Sequence, residues 1–593
     1  MTSQPVAEAA PHWRTDDLYP ALDSPAYQAA LSDVAERVQA LGALFDRLEI
    51  RKDARAADPV AAFEQATTAL NDLLARLTPV RAYAQAFLTT DSRDDLAQAR
   101  SSELTTLTQP LSDLMTRYNA WLGGLDQPAL LNGSALARDH RYALERARHA
   151  AEHQMSPAEE ALAAELRPSA ASAWAKLHGN VSSLLSGEVR GERLPMTMLR
   201  NLASDPDAAL RQEAYITELQ VWQTAEIPLA AALNGIKGES NVLNRKRGYR
   251  SAVEATLSGN SIDAATLEAM QTAVVESFPD FRRYFSAKAR RLGHADGRLP
   301  WHDLFAPVGE SRASWAYPEA RQFVVNSFRS YSDRLADFAD RAMSEGWLDV
   351  PPRDGKRGGA FCMPWRDGES RILLNHAPNL DSVSTLAHEL GHGYHNLCLQ
   401  GRTPLQKATP MTLAETASIF CETVVQHAAL DGTSGDERLY VLETALMGQA
   451  QVVVDIHSRF LFETAVFEAR EKRDLSPTEF NRLMEQAQRD TYGEALSTLH
   501  PYMWAVKSHY YGSNFYNYPY TFGLLFGLGL YARYRQDPQG FRAQYDQLLA
   551  STGLADAATL AAGFGIDTRE VQFWRSSLDV IRENIREYEQ LAR

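Results

Sequence analysis

Apolar residues recur at a helical period along most of this chain. Between Ser24 and about Leu125, positions such as Ala29, Leu31, Val34, Val38, Leu41, Leu44 and Phe45 fall on one stripe, the spacing of an amphipathic helix laid on a core. Three long helices are predicted there, over about 24–49, 57–88 and 94–122, with breaks at Arg51-Lys52-Asp53, Thr90-Asp91-Ser92 and Gly123-Gly124. Ser156-Pro157-Ala158-Glu159 reads as a capping box with proline at the first helical position, so another helix starts there. The period lapses over Ser186–Pro195, where Gly187 and Gly191 bracket a short alternating piece of hairpin character. That lapse marks the expected seam between an N-terminal helical lobe, 1–195, and a larger lobe, 196–593.

A second change of pattern comes at 351–375. Gly355-Lys356-Arg357-Gly358-Gly359 runs into the apolar Ala360-Phe361-Cys362-Met363, and an Asp367-Gly368 turn leads to Ser370-Arg371-Ile372-Leu373-Leu374. This is the strongest hairpin signal in the chain. It directly precedes a stripe of Val383, Leu386, Ala387 and Leu390, with Asn379, Asp381 and Ser382 as N-cap candidates and Gly401 as a stop. From there to Arg593 the pattern is mainly helical again. The fold class is therefore mainly α, in two lobes, with a small β-sheet next to the helix at 380–400.

That helix carries the chemistry. His388 and His392 are four residues apart, so they project from one face about one turn apart, as two ligands of one zinc ion do. Glu389 lies beside them, placed to act as general base and acid on a water held by the ion. A His-Glu-x-x-His run is expected by chance on the order of 0.02 times in a chain of this composition, so coincidence is a weak rival.

A catalytic zinc keeps three protein ligands and one open position. A metzincin needs Gly at 395 and His at 398, where this chain has His395 and Cys398. Thermolysin-type spacing puts a Glu about twenty residues past the second His, and that window holds Met411, Thr412 and Leu413. The first acidic residue downstream is Glu415, and it is the expected third ligand; its rival role is that of a helix-start carboxylate paired with Thr412. Glu422, seven residues on, is cast as the acceptor for a ligand histidine's other N–H. His395 as a fourth ligand would close the site, so it is read as a supporting or packing residue. The hairpin either offers an edge strand to a substrate backbone, through Gly358, Gly359, Ala360 and Phe361, or merely buttresses the helix.

Composition narrows the partners. At 593 residues, with 45% hydrophobic and 23% charged residues, the chain is too apolar to be disordered. A net charge of −15 disfavours nucleic acid and anionic membranes as partners. Cys362, Cys398 and Cys421 make no disulfide framework and suit a reducing cytoplasm. Met1–Pro20 shows no apolar core of a secretory signal, and the longest apolar stretch, Tyr520–Tyr531, is too short to cross a bilayer. No obligate protein partner is evident.

The run Val383–His395, followed by Glu415-Thr416-Ala417-Ser418, resembles oligoendopeptidase F of the thimet-oligopeptidase family of zinc metallopeptidases. Trp13-Arg14-Thr15-Asp16-Asp17-Leu18-Tyr19-Pro20, the glycine hairpin and His509–Tyr520 are similar to further parts of that family. The resemblance implies a helical ellipsoid with a thermolysin-like catalytic core and a deep central channel with the zinc at its floor. It further implies one zinc ion per chain and internal cleavage of short unstructured peptides. His509 matches the family's substrate-contacting histidine, and Tyr516 and Tyr520, with Tyr518 still open, match its donors to the tetrahedral oxyanion. Taken alone, that stretch is an aromatic cluster of core or channel-wall type. A helical exopeptidase of the carboxypeptidase type, and a non-catalytic peptide-binding protein with a structural zinc, remain as alternatives.

Overall fold

A computed structural model describes residues 10–52, 54, 57–310 and 315–593. Met1–Ala9, within the stretch searched for a signal, and Asp53, at an expected helix break, lie outside the described residues. The chain is mainly α, 70% helical with only small sheets.

Contacts divide it into two compact units. The first comprises 10–152, 315–428 and 533–565, and the second 153–310, 429–532 and 566–593. This differs from the seam expected at 195. The Ser186–Pro195 hairpin forms as expected, pairing Ser186 with Pro195 and Val189 with Glu192, but it belongs inside the second unit. A lapse in periodicity marks the end of helices, not the end of a core.

In the first unit the three N-terminal helices are Pro25–Arg47, Pro59–Thr90 and Asp95–Gly123. Ser24, Asp58 and Asp94 cap them, each side chain accepting the backbone N–H three residues on. Their apolar stripes meet in one core with Leu31, Val34, Phe63, Leu70 and Tyr118 fully buried. Trp365, from the distant hairpin, joins this core, its ring 6.0 Å from that of Tyr83.

The sheet beside the motif helix has three strands. Ser370–Leu373 is central, antiparallel to Phe361–Pro364 and parallel to Leu348–Asp349. Phe361–Pro364 is therefore an edge. The hairpin is anchored by the N-terminal Trp-Arg-Thr-Asp-Asp stretch. The fully buried Arg371 donates to the Arg14 carbonyl at 2.8 Å and to the Asp17 carboxylate at 2.6 Å, and lies 4.5 Å over the Trp365 ring. The Lys356 side chain, also buried, is ion-paired with Asp349 at 2.6 Å and donates to the Pro351 carbonyl at 2.9 Å. Asn375 donates to the carbonyls of Arg357 and Gly359. The glycine loop is thus fixed from behind.

In the second unit, long helices span Ala208–Lys246, Ala264–Arg291 and Val571–Leu591. A continuous helix, Gly435–Arg470, includes a π turn at Gln451–Asp455. Among the described residues this helix, and not Tyr520–Tyr531, is the one whose length and composition would suffice to cross a membrane. Its apolar window is 61% buried, and its Glu443 and Glu463 pair at 2.6 Å with the buried Lys288 and Lys237. Those are features of a core helix.

Candidate active site

The motif helix runs from Leu380 to Cys398, with Asn379 capping it through a 2.9 Å bond from the Ser382 N–H. Its buried face, Val383, Leu386, Ala387 and Leu390, turns His388 and His392 toward a cleft of about 520 Å³. A short helix, Met411–Ala414, delivers Glu415, and Thr416–Asp431 continues beyond it.

Gly391 explains how the two segments come together. A Cβ at this position would lie 2.6 Å from the Ser418 Cα and 2.7 Å from the Ala417 carbonyl oxygen. The motif helix and the Glu415 segment therefore meet backbone to backbone, a distance only glycine permits. Ser418 donates to the Glu415 carboxylate at 2.7 Å and fixes its direction.

As a result, Glu415 Oε2 sits 3.2 Å from His388 Nε2 and 3.3 Å from His392 Nε2. Tetrahedral coordination at about 2.0–2.1 Å holds ligand atoms about 3.3–3.4 Å apart, so the set fits an ion of zinc's size. Among the described residues this is the one His/Cys/Asp/Glu group with metal-binding spacing. Glu422 Oε2 lies 3.2 Å from His388 Nδ1, on the side of the ring away from the cluster. His395 turns elsewhere: it is buried and its Nε2 meets Thr552 Oγ1 at 2.8 Å.

The electrostatics follow the geometry. Burial opposes charge on His388, but Glu415 and Glu422 outweigh it and hold its pKa well above the ordinary value. Burial likewise works to raise Glu415, yet the two facing imidazoles hold it far below the usual carboxylate range. Glu389, 6% exposed, is raised by burial against the pull of His388 and His392. Its Oε2 is buried with no hydrogen-bond partner, an arrangement that costs stability. His395 is pushed down to about 4 by burial and by His392.

The edge strand lines the same cleft through Phe361, Cys362 and Pro364, with Ala360 just ahead of it, alongside His388, Glu389, His392 and Glu415. Gly358 and Gly359 precede it in the loop, exposed, with open space where a Cβ would stand. Asn396 bridges helix and hairpin through a 3.0 Å bond to Ser370 Oγ. Neither Asn396 nor Gly391 was singled out from the sequence, though the glycine inside the His-Glu-x-x-His run was a visible signal.

His509, Tyr516 and Tyr520 belong to the second unit and form their own cluster. The His509 and Tyr516 rings stack at 4.8 Å, and Tyr520 donates to the Tyr516 hydroxyl at 3.4 Å. Tyr518 is set apart from them. It is buried and its hydroxyl is engaged by Asn260 at 2.9 Å and Thr256 at 3.1 Å. Burial lowers the His509 pKa, and Arg459 and Lys507 lower it further.

A model of peptidase family M3 matches residues 201–580. The chain belongs to peptidase family M3. A model of oligopeptidase F matches 129–185. Group B oligopeptidase PepB of Streptococcus agalactiae is 25% identical over 411 residues, covering 68% of each chain. An oligoendopeptidase F homologue of Lactococcus lactis is 23% identical over 420 residues, 70% of this chain and 66% of that relative. Among solved structures, one assigned as a peptidase from Chlamydophila abortus matches with a TM-score of 0.82 at 21% identity over 98% of both chains. Oligoendopeptidase F from Enterococcus faecium matches with a TM-score of 0.68 at 17% identity, over 95% of this chain and 99% of that one. The curated alignments span about two thirds of their relatives, while the structural ones span nearly all and establish the fold. The resemblance to oligoendopeptidase F is thereby shown, and with the family comes the enzyme class, metalloendopeptidase. The family implies a metal, and the His388, His392 and Glu415 group fits one.

Proposed function

We propose that this enzyme hydrolyses internal bonds of short unstructured peptides with one zinc ion held by His388, His392 and Glu415. The observation that carries the reading is the convergence of those three ligand atoms beside the buried, unpartnered Glu389 carboxylate oxygen. When bound there, zinc supplies a Lewis acid that polarises the scissile carbonyl and acidifies water. Glu389 Oε2 takes the proton from the attacking water and returns it to the leaving amine nitrogen, a use for which its lack of any other hydrogen-bond partner leaves it free. Glu422 holds His388 Nδ1–H, fixing the tautomer that leaves Nε2 free to ligate. His395 serves the packing of the helix.

The peptide adds as a strand to the Phe361–Pro364 edge, guided by the loop of Gly358 and Gly359 and by Ala360, so that main-chain hydrogen bonds set its register. His509 and the hydroxyls of Tyr516 and Tyr520 take the family's roles toward the substrate and its developing oxyanion. The engaged hydroxyl of Tyr518 favours the other two tyrosines. A channel that restricts entry to short peptides, and residence in a reducing cytoplasm, complete the proposal; three free thiols agree with the latter.

The test is a peptide blocked at both ends, digested with and without a zinc chelator and read by mass spectrometry. Internal, chelator-sensitive cleavage is expected. No cleavage of the blocked peptide, with trimming of free ends, would favour an exopeptidase. Glu389→Gln is expected to keep zinc and lose about 10²- to 10⁴-fold in kcat; near-normal turnover in that variant would overturn the mechanism.

A further inference from the structure

The turn that carries Tyr516 is held from behind by a buried cation that the proposed reaction does not use. Lys237, on the helix Ala208–Lys246, has a side chain only 1% exposed. Its ammonium donates to Glu463 Oε1 at 2.6 Å, to Asn514 Oδ1 at 3.0 Å and to the Ser513 carbonyl at 3.2 Å. All three donor positions are thus spent, two of them on the turn between the helices His509–Gly512 and Tyr518–Gln536.

The neighbours of Tyr516 are pinned as firmly. Asn514 also donates to Ser240 Oγ at 3.1 Å, from the same helix as Lys237. Phe515 has a φ of 49°, the left-handed region that a bulky side chain avoids. It is held there by burial and by stacking on Phe467 at 5.5 Å, the ring over which Lys237 lies at 5.0 Å. Asn517 accepts from Arg459 at 3.1 Å. Within this turn the Tyr516 ring stacks on His509 and its hydroxyl meets Tyr520, while the Asn517 side chain also reaches His509. A non-glycine residue in a strained conformation, locked on both sides, is how a fold aims one side chain.

We infer that Lys237, with Glu463 as its counter-charge, is a positioning residue that sets the hydroxyl of Tyr516 against His509 and Tyr520 for the peptidase reaction. The inference rests on the functional reading above and adds to it a buried ion pair, Lys237–Glu463, outside the reacting groups.

A double-mutant cycle tests it. Lys237→Met is expected to lower kcat about 10- to 100-fold, the cost of a misplaced group, with KM changed less than about threefold. In a Tyr516→Phe background the same substitution is expected to cost less than about threefold, since the hydroxyl it positions is already gone. Lys237→Arg, which keeps the charge and the donors, is expected to recover part of kcat. An unchanged kcat in Lys237→Met, or an equal loss in both backgrounds, overturns the inference and leaves Lys237 as a general prop of the fold. Should Lys237→Met fail to fold, Asn514→Ala removes one end of the clamp without burying a charge. The same cycle is then read on Asn514→Ala, where an unchanged kcat or an equal loss in both backgrounds again overturns the inference. A Tyr516→Phe enzyme with wild-type kcat would instead sink the role given to Tyr516, a distinguishable failure.

Discussion

Replacing Gly391 with alanine sets two effects of opposite sign against each other. In an exposed helix interior the substitution would stabilise by about 1 kcal/mol, because glycine is the poorer helix former. Here the added methyl would meet the Ser418 Cα at 2.6 Å, the Ala417 oxygen at 2.7 Å and the Ser418 nitrogen at 2.9 Å. All three are backbone atoms, so no rotamer change relieves the clash. Restoring an ordinary contact of about 3.5 Å requires the two segments to part by about 1 Å. Such overpacking costs about 1–3 kcal/mol, more than the helix gains. The displaced segment carries Glu415, whose oxygen now sits 3.2 and 3.3 Å from the two imidazole nitrogens. Metal sites tolerate errors of about 0.2 Å in a ligand distance, so zinc affinity should fall by at least about tenfold. Competition with a chromophoric chelator measures the affinity, and urea unfolding of metal-free protein measures the stability. A variant that bound zinc as tightly as the parent, and was more stable without it, would refute the argument that this crossing sets the site.

Two more outcomes follow from the same neighbourhood. Glu422→Gln should lower zinc affinity about 10- to 100-fold while leaving the metal-free fold intact, since its carboxylate meets the outer nitrogen of His388 at the part-exposed rim of the cluster; competition titration checks it. Stability should fall as pH drops from about 6.5 toward 4, because His395 and His457 are each pushed down to about 4 by burial and stay neutral in the folded chain while their unfolded counterparts take up protons. Their contribution is fully present above the unfolded value and is lost by about pH 4, on the order of 3 kcal/mol for each site. Melting temperature against pH reads this slope, and replacing either histidine by glutamine should flatten it.

The parts of this site that were legible in the sequence are those set by local rules. Four-residue spacing placed His388 and His392 on one face, and capping residues placed the helix that bears them within a residue or two of its observed start. The hairpin was legible from its turn, but not the strand Leu348–Asp349 that pairs with it, whose two residues are too few to show alternation. Nor was the division into units legible: periodicity reports which face of a helix is buried, never against which distant helix. The tyrosines show the same limit. Tyr516, Tyr518 and Tyr520 are equivalent by composition, and only the partners of the Tyr518 hydroxyl, Thr256 and Asn260, set it apart. Lys237 carries no local signal either, since only the fold brings Glu463 and the Ser513 carbonyl to it.

The first unit is stitched from three separated stretches, the last of them 533–565. Emerging from a ribosome, the chain has released His388, His392 and Glu415, yet the groups that brace the motif helix come more than a hundred residues later. Thr552 then meets His395, and Asp546 takes the Tyr394 hydroxyl at 2.6 Å. Closure across so long a span is slow and comes late. A chain halted soon after Glu415 therefore holds the motif helix without the side chains that brace Tyr394 and His395 from behind.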